Sequence, residues 1–248
     1  MSLSTTALHE LHKELGGRLV DFTGWELPVQ FAGIISEHQH TRQSASLFDV
    51  SHMGQVLIRP ESGNLADAAA ALETLIPASV AGLAEGRQRY GLFTDENGGV
   101  LDDLMFANHG DHYFLVVNAA RSDHDLGLLR TLERVTVEHI TDRSLLALQG
   151  PRAEEALCGL VPEATGLKFM DSQILEWDGI EVWISRSGYT GEDGFELFVP
   201  NANAVKLWDA LAAAGEPFGL TPAGLAARDS LRLEAGMPLY GHELGLDI

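Results

Sequence analysis

The chain has 248 residues, 36 acidic and 16 basic, and its formal net charge of −20 excludes the basic surface typical of nucleic-acid-binding proteins. Cys158 is the only cysteine, which excludes an internal disulfide and favours a reducing, cytoplasmic compartment. The first residues lack a secretion-signal pattern, and no run of about eighteen apolar residues predicts a membrane span. We therefore expect a cytoplasmic protein with neither a nucleic acid nor a membrane as partner.

The first fifty residues are predicted to alternate between helix and strand. Apolar residues at helical spacing predict helices over residues 7–15 and 34–47, with a strand at residues 18–22 between them. Residues 23–28 contain a tryptophan and a proline and are predicted to form an ordered loop.

Residues 48–58 are predicted to form one strand whose first half is unusually polar for a core strand. Strands of this mixed character often line a cavity, but Asp49 could instead cap a neighbouring turn. A strand that runs into a proline and a helix occurs over residues 48–75 and again over residues 145–161. This recurrence indicates two related α/β halves.

Two adjacent carboxylates, Asp102 and Asp103, interrupt an apolar strand. Residues 89–94 and 100–106 are predicted to form a hairpin, joined by a turn rich in Asp, Asn and Gly. Because strand side chains alternate, one of the two carboxylates should face inward, where burial would raise its pKa. The alternative is an edge strand with both carboxylates in water.

A glycine-rich turn joins two further predicted strands, residues 181–187 and 195–199. Glu196 lies between apolar neighbours, and its paired acceptor oxygens suit a flat heterocycle with two adjacent N–H donors, such as a pterin. The alternative is a cross-strand salt bridge to Arg186 or a neighbour. No helix follows the glycines directly, so they do not form a dinucleotide-binding fingerprint.

The last part of the chain is predicted to be helical. Asn203 is a natural cap for a helix over residues 204–214, and a final helix is bracketed by Pro222 and Gly236. Within it, Arg228 and Arg232 lie one turn apart on one face. They could form an anion site, or they could pair with neighbouring acidic residues in a surface ion network.

Six segments in this order together resemble the glycine cleavage T-protein family of tetrahydrofolate-dependent aminomethyltransferases. The segments are VDFTGWELP at 20–28, FDVSHMG at 48–54, GGVLDDL at 98–104, LQGP at 148–151, SRSGYTGEDGFE at 185–196 and ARDSLRLEAG at 227–236. The resemblance implies an α+β fold with two related α/β subdomains around a folate site, spanning residues 1–248. Family members continue into a C-terminal β-barrel domain, which we expect this chain to lack.

The resemblance also implies roles for single residues. Asp103, the second residue of the Asp-Asp pair, matches the family's catalytic aspartate, and Glu196 matches the anchor of the pterin ring. The other implied folate-binding residues are Met53, Tyr90, Asn118, Tyr189, Arg228 and Tyr240. Ala107 stands where some relatives have an aromatic residue, so no ring contact is expected from it. The resemblance implies no metal.

The implied reaction moves a methylene carbon from an aminomethyl-lipoyl carrier, the H-protein, to tetrahydrofolate as co-substrate. Its products are 5,10-methylenetetrahydrofolate, ammonia and the dihydrolipoyl carrier. The alternative is a non-catalytic or regulatory folate-binding protein of the same superfamily. The cysteine signature of the iron–sulfur assembly group is absent, and so is the Gly-x-Gly-x-x-Gly motif of the folate-linked flavoenzymes.

Overall fold

The computed structural model describes residues 2–247, in which two structural units interleave along the chain. Unit 1 consists of residues 2–52, 142–169 and 174–237, and unit 2 consists of residues 53–141, 170–173 and 238–247. Each unit combines helices with β-sheet, which confirms the predicted α+β class.

Short strands and helices alternate along the whole chain. In chain order, the strands are β1 (Arg18–Phe22), β2 (Trp25–Gln30), β3 (Ala45–Asp49), β4 (Gly54–Pro60), β5 (Arg87–Thr94), β6 (Val100–Asn108), β7 (Tyr113–Val117), β8 (Val135–Ile140), β9 (Arg143–Gln149), β10 (Ser172–Trp177), β11 (Ile180–Ser185), β12 (Gly194–Pro200) and β13 (Leu220–Pro222). The helices are α1 (His9–Glu14), α2 (Ile34–Gln43), α3 (Leu65–Leu72), α4 (Ser122–Leu129), α5 (Ala153–Cys158), α6 (Ala204–Gly215) and α7 (Leu225–Glu234).

Unit 1 is built on a sheet with the strand order β10-β11-β12-β9-β3-β13, beside a separate β1-β2 hairpin. Alternate residues of β9 and β12, such as Leu148 and Phe195, lie in the core of the unit. Leu157 of α5 and Leu211 of α6 are fully buried in the same core. The apolar alternation therefore leaves the other face of β12, which carries Glu196, for polar contacts.

Unit 2 is built on an antiparallel sheet with the strand order β5-β6-β7-β4-β8. Leu104 and Phe106 of β6 are buried in one core with Leu72 of α3 and Leu126 of α4. β6 lies between β5 and β7, so the edge-strand alternative for the Asp102–Asp103 segment is wrong.

Several element boundaries differ from those predicted. Residues 23–28 are not a loop, because most of them belong to β2, whose Leu27 pairs with Val20 of β1. The helix predicted over residues 34–47 ends at Gln43, because the chain enters β3 and pairs with β9 and β13. The predicted strand 48–58 is divided into β3 and β4 by a turn. The differences at β3 and β4 arise where pairing with distant strands overrides local pattern, whereas β2 pairs with its neighbour β1.

The C-terminal helix also begins later than predicted. Pro222 is the last residue of β13, and α7 begins at Leu225 after Gly224. A Cβ on Gly224 would lie 2.4 Å from backbone atoms of Val29, so the glycine permits a close backbone approach. In residues 2–247 we find no helix with the length and hydropathy needed to cross a bilayer.

Candidate functional site

Asp102 and Asp103 face opposite sides of β6, as strand alternation requires. Asp102 is the inward-facing carboxyl, and its side chain is completely buried with the core residues Leu104 and Phe106. Asp103 lies on the other face and is only partly buried. Of the two, Asp103 is therefore the carboxyl that remains accessible to a ligand.

Hydrogen bonds from two neighbouring strands hold the Asp103 carboxyl. The Tyr90 hydroxyl on β5 donates to Asp103 Oδ2 at 3.0 Å, and the Asn118 amide, directly after β7, donates to Oδ1 at 2.6 Å. Burial raises the pKa of Asp103 above its ordinary value, and this effect outweighs the opposing hydrogen bonds from Asn118 and Tyr90. The neighbouring charge of Asp102 raises the same pKa. A carboxyl of this kind exchanges a proton more readily near neutral pH than an ordinary aspartate.

Three sequence-predicted residues of unit 2, Tyr90, Asp103 and Asn118, therefore form one hydrogen-bonded cluster. Arg121 connects Tyr240 to β6. Its guanidinium carbon lies 4.9 Å from the centre of the Tyr240 ring. Arg121 Nη2 also donates to a β6 carbonyl. Met53 lies in the turn before β4 with a partly buried side chain.

Glu196 of unit 1 lies on β12, where its neighbours Phe195 and Leu197 are buried and its own side chain is partly exposed. The Ser187 hydroxyl donates to Glu196 Oε2 at 2.8 Å. Of the predicted alternative, a salt bridge to Arg186 or a neighbour, the pairing with Arg186 is wrong. The Arg186 guanidinium pairs with other carboxylates, those of Glu154 and Asp193, at 2.8 and 2.5 Å.

Arg228 lies near Glu196 and Tyr189 in unit 1. Its guanidinium carbon is 5.0 Å from the centre of the Tyr189 ring, and burial lowers its pKa while the charge of Glu196 opposes that shift. Within residues 2–247, its buried Nη1 donates to no acceptor. A buried cationic donor without an acceptor is costly, so this nitrogen is suited to a ligand oxygen or nitrogen.

The predicted pairing of Arg228 with Arg232 as one anion site is not observed. Arg232 is almost completely buried, and its Nε donates to Asp229 at 2.9 Å. Its Nη1 donates to the Met237 carbonyl, so Arg232 stabilises the end of α7. Of these two arginines, Arg228 is therefore the one suited to binding a ligand.

Asp49 has the capping role that the sequence left open. Its Oδ1 accepts hydrogen bonds from the backbone N–H and the hydroxyl of Ser51, at 3.0 and 2.5 Å. Its Oδ2 accepts from the Thr6 hydroxyl at 2.7 Å and lies 2.8 Å from Nε2 of the buried His12. Nearby, burial lowers the pKa of His52 to about 4, so that imidazole is neutral at neutral pH.

Sequence reasoning did not single out Arg121 or Asp125 of unit 2 as candidate site residues. By its sequence position, Asp125 is an acidic residue in the first turn of a helix, which acidic residues commonly occupy at the surface. In the structure it is completely buried. The sequence signal for this burial is helical spacing. Asp125 lies on the same side of the helix as Leu126 and Leu129, which are also buried.

Comparison with known proteins shows the family to which the chain belongs. Residues 8–248 match the model of the GCVT N-terminal domain. An aminomethyltransferase from Caldanaerobacter subterraneus subsp. tengcongensis is 42% identical over 100% of this chain and 67% of its own length. The chain belongs to the glycine cleavage T-protein family. The predicted family and enzyme class, aminomethyltransferase, are thereby confirmed.

Two further members of the T-protein family agree with this assignment. The mitochondrial aminomethyltransferase of Dictyostelium discoideum is 43% identical over 99% of this chain and 64% of its own length. The crystal structure of glycine cleavage system aminomethyltransferase T from Bartonella henselae superposes with a TM-score of 0.88 at 37% identity. It covers 99% of this chain, which covers 66% of that structure. The chain thus spans about two-thirds of the length of these relatives.

Proposed function

We propose that this chain binds tetrahydrofolate and transfers to it the methylene carbon of an aminomethyl-lipoyl carrier, the H-protein. The products would be 5,10-methylenetetrahydrofolate, ammonia and the dihydrolipoyl carrier. The observation that carries this proposal is the environment of Asp103. Its carboxyl is partly buried and accepts hydrogen bonds from two donors, and burial raises its pKa. The family membership reported above supports the same reaction.

Asp103 would orient the folate and exchange a proton with the reacting nitrogen. Bound tetrahydrofolate supplies a nucleophilic nitrogen, so the protein's task is chiefly to hold it beside the carbon to be transferred. Tyr90 and Asn118 keep the Asp103 carboxylate in one orientation through their hydrogen bonds. A raised pKa keeps Asp103 useful as a proton acceptor and donor near neutral pH.

Glu196 would anchor the pterin ring through paired acceptor oxygens. Tyr189 offers a ring face, and Arg228 Nη1, which has no acceptor among residues 2–247, offers a donor, so these side chains fit a flat heterocycle. The family resemblance adds Met53 and Tyr240, both of unit 2, to the proposed folate-binding residues. We expect the protein to act in the cytoplasm.

A non-catalytic folate-binding protein is the alternative function, and Asp103→Asn separates it from an enzyme. The amide keeps the shape of the carboxyl but cannot exchange a proton. We expect tetrahydrofolate binding to stay within a few-fold, and turnover to fall by about two to four orders of magnitude. Calorimetry would measure binding, and formation of methylenetetrahydrofolate from the charged carrier would measure turnover.

Glu196→Gln provides the matched contrast, because it should weaken tetrahydrofolate binding by replacing one acceptor with a donor. Asp123→Asn, on an exposed position of α4, should change neither quantity. An Asp103→Asn chain that turns over normally would contradict the proposed role of Asp103. Absence of binding heat with tetrahydrofolate in the folded wild-type chain would contradict the folate assignment.

A further inference from the structure

A second buried carboxyl lies against Asp102 in unit 2. Asp125, in the first turn of α4, and Asp102 on β6 are both completely buried. A hydrogen bond between the two carboxyls and the repulsion between their charges both act to raise the pKa of Asp125. The proposed reaction makes no use of Asp125, and burying a carboxyl without a role is costly.

One oxygen of each carboxyl has a partner and the other does not. Asp102 Oδ1 accepts from the backbone N–H of Asp103 at 2.9 Å and from Asn118 Nδ2 at 2.8 Å. Asp125 Oδ1 lies 3.0 Å from His124 Nδ1. Both Oδ2 atoms are buried and receive no hydrogen bond from an N–H or O–H group within residues 2–247. Neighbouring carboxyls of this kind are unfavourable as two anions and favourable when one carries a proton.

We propose that Asp125 is a neutral, protonated carboxyl that donates a hydrogen bond to Asp102 and thereby positions Asp103. This inference rests on the function proposed above for Asp103. With that bond in place, Asp102 keeps both hydrogen bonds to Oδ1. The Asn118 amide bridges Asp102 and Asp103 at 2.8 and 2.6 Å, so an oriented Asp102 orients the amide and, through it, the Asp103 carboxylate.

The charged groups facing Asp125 are consistent with a bound proton. Asp102 faces it from β6, Arg121 from the segment before α4, and His124 from α4 itself, and the charge of Asp103 acts on it from the other face of β6. Burial, followed by the hydrogen bond and charge of Asp102, raises the pKa of Asp125 to about 9, against the opposing charge of Arg121. Burial also lowers the pKa of His124, so this imidazole is neutral at neutral pH. In the described part of the chain, Arg121 forms no ion pair with Asp125.

Carbon-13 NMR of the 248-residue chain with labelled aspartate carboxyls tests the protonation without any assay of activity. One aspartate should remain protonated at pH 7 and lose its proton near pH 9. This signal should disappear in Asp125→Asn and persist in Asp123→Asn, whose side chain is exposed on the same helix. The proposal would be overturned if all the labelled aspartate carboxyls were ionised at pH 7. It would also be overturned if the signal of the protonated carboxyl remained in Asp125→Asn.

Positioning is tested by comparing two substitutions of Asp125. Asp125→Asn still offers Asp102 a donor, so it should keep kcat within about twofold and leave the titration of Asp103 unchanged. Asp125→Ala offers none, so it should shift the titration of Asp103 and lower kcat by about ten- to a hundredfold, with little change in the tetrahydrofolate Kd. A merely structural role would lower stability in both variants without moving the Asp103 titration.

Asp103→Asn, assayed in parallel, separates this inference from the proposed function. An active Asp103→Asn chain would refute the proposed function. An inactive Asp103→Asn chain, together with an Asp125→Ala chain of normal turnover and normal Asp103 titration, would refute only the positioning role. If Asp125→Ala does not fold, Asp125→Ser is the second variant, and the same Asp103 titration decides the outcome.

Discussion

Asp49 in unit 1 and Asp125 in unit 2 are both buried aspartates, but their surroundings shift their pKa values in opposite directions. Burial alone would raise the pKa of Asp49, yet hydrogen bonds from His12, Ser51 and Thr6 outweigh it and hold the pKa below its ordinary value. Asp125 has a carboxyl, Asp102, as its neighbour, and burial raises its pKa to about 9. The comparison shows that the available donors decide whether a buried carboxyl is charged.

Asp103 lies between these extremes. It has two donors, Asn118 and Tyr90, but also burial and the charge of Asp102, and its pKa is raised. A carboxyl with as many donors as Asp49 would resist taking up a proton, and one beside another carboxyl, as Asp125 is, would resist losing it. The balance of donors and burial at Asp103 therefore suits a group that exchanges protons during turnover.

Removing the Asp49 carboxylate, which has several buried hydrogen-bond partners, should have the largest effect on stability. Asp49→Ala leaves the buried donors of Thr6 and His12 without an acceptor, and we expect the free energy of unfolding to fall by about 3–5 kcal/mol. Urea unfolding at pH 7 would measure it. Asp209→Ala, at an exposed position of α6, is the control and should cost less than about 0.5 kcal/mol. Similar losses in the two variants would contradict the role assigned to Asp49.

The opposite pKa shifts predict opposite effects of pH on stability. The raised pKa of Asp125 means that its contribution to folding is present below its ordinary value of 3.8 and is lost as pH rises toward about 9. Asp125→Asn cannot lose a proton, so its unfolding free energy relative to wild type should increase over that range, by roughly a few kcal/mol. The lowered pKa of Asp49 acts in the other sense, because its contribution is lost as pH falls.

Unfolding curves at a series of pH values would test this prediction for Asp125. A difference between Asp125→Asn and wild type that stays constant from acidic to alkaline pH would show that Asp125 titrates normally. Asp123→Asn should give that constant difference, because its side chain is exposed.

The smallest effect is expected from removing a single donor at Asp103. Tyr90→Phe deletes one hydrogen bond, which should raise the pKa of Asp103 further and reduce turnover by only about two- to tenfold. Carbon-13 NMR titration of Asp103 would measure the shift. Tyr113→Phe removes a hydroxyl that donates to the Val80 carbonyl, so the Asp103 titration should not change. An Asp103 pKa that falls in Tyr90→Phe would contradict the assigned direction of this hydrogen bond.

Much of the secondary structure could be predicted from local pattern. The strand at Arg18–Phe22, the hairpin that contains Asp103 and the helix beginning at Ala204 follow from alternation, turn residues and helical spacing. The end of α2 could not, because the following strand β3 pairs with β9, which is distant in the chain. The strand β2 was missed because its tryptophan and proline suggest an ordered loop, although its partner β1 directly precedes it.

The sequence by itself determined that Asp102 and Asp103 lie on opposite faces of one strand, because a two-residue period is a property of the extended backbone. It also determined the family, through six segments whose order along the chain is retained. Only the tertiary structure decided that Asp102 is the buried carboxyl, that Arg186 pairs away from Glu196, and that Asp125 lies against Asp102. These outcomes depend on which elements cover each face of a sheet, and long-range packing sets that.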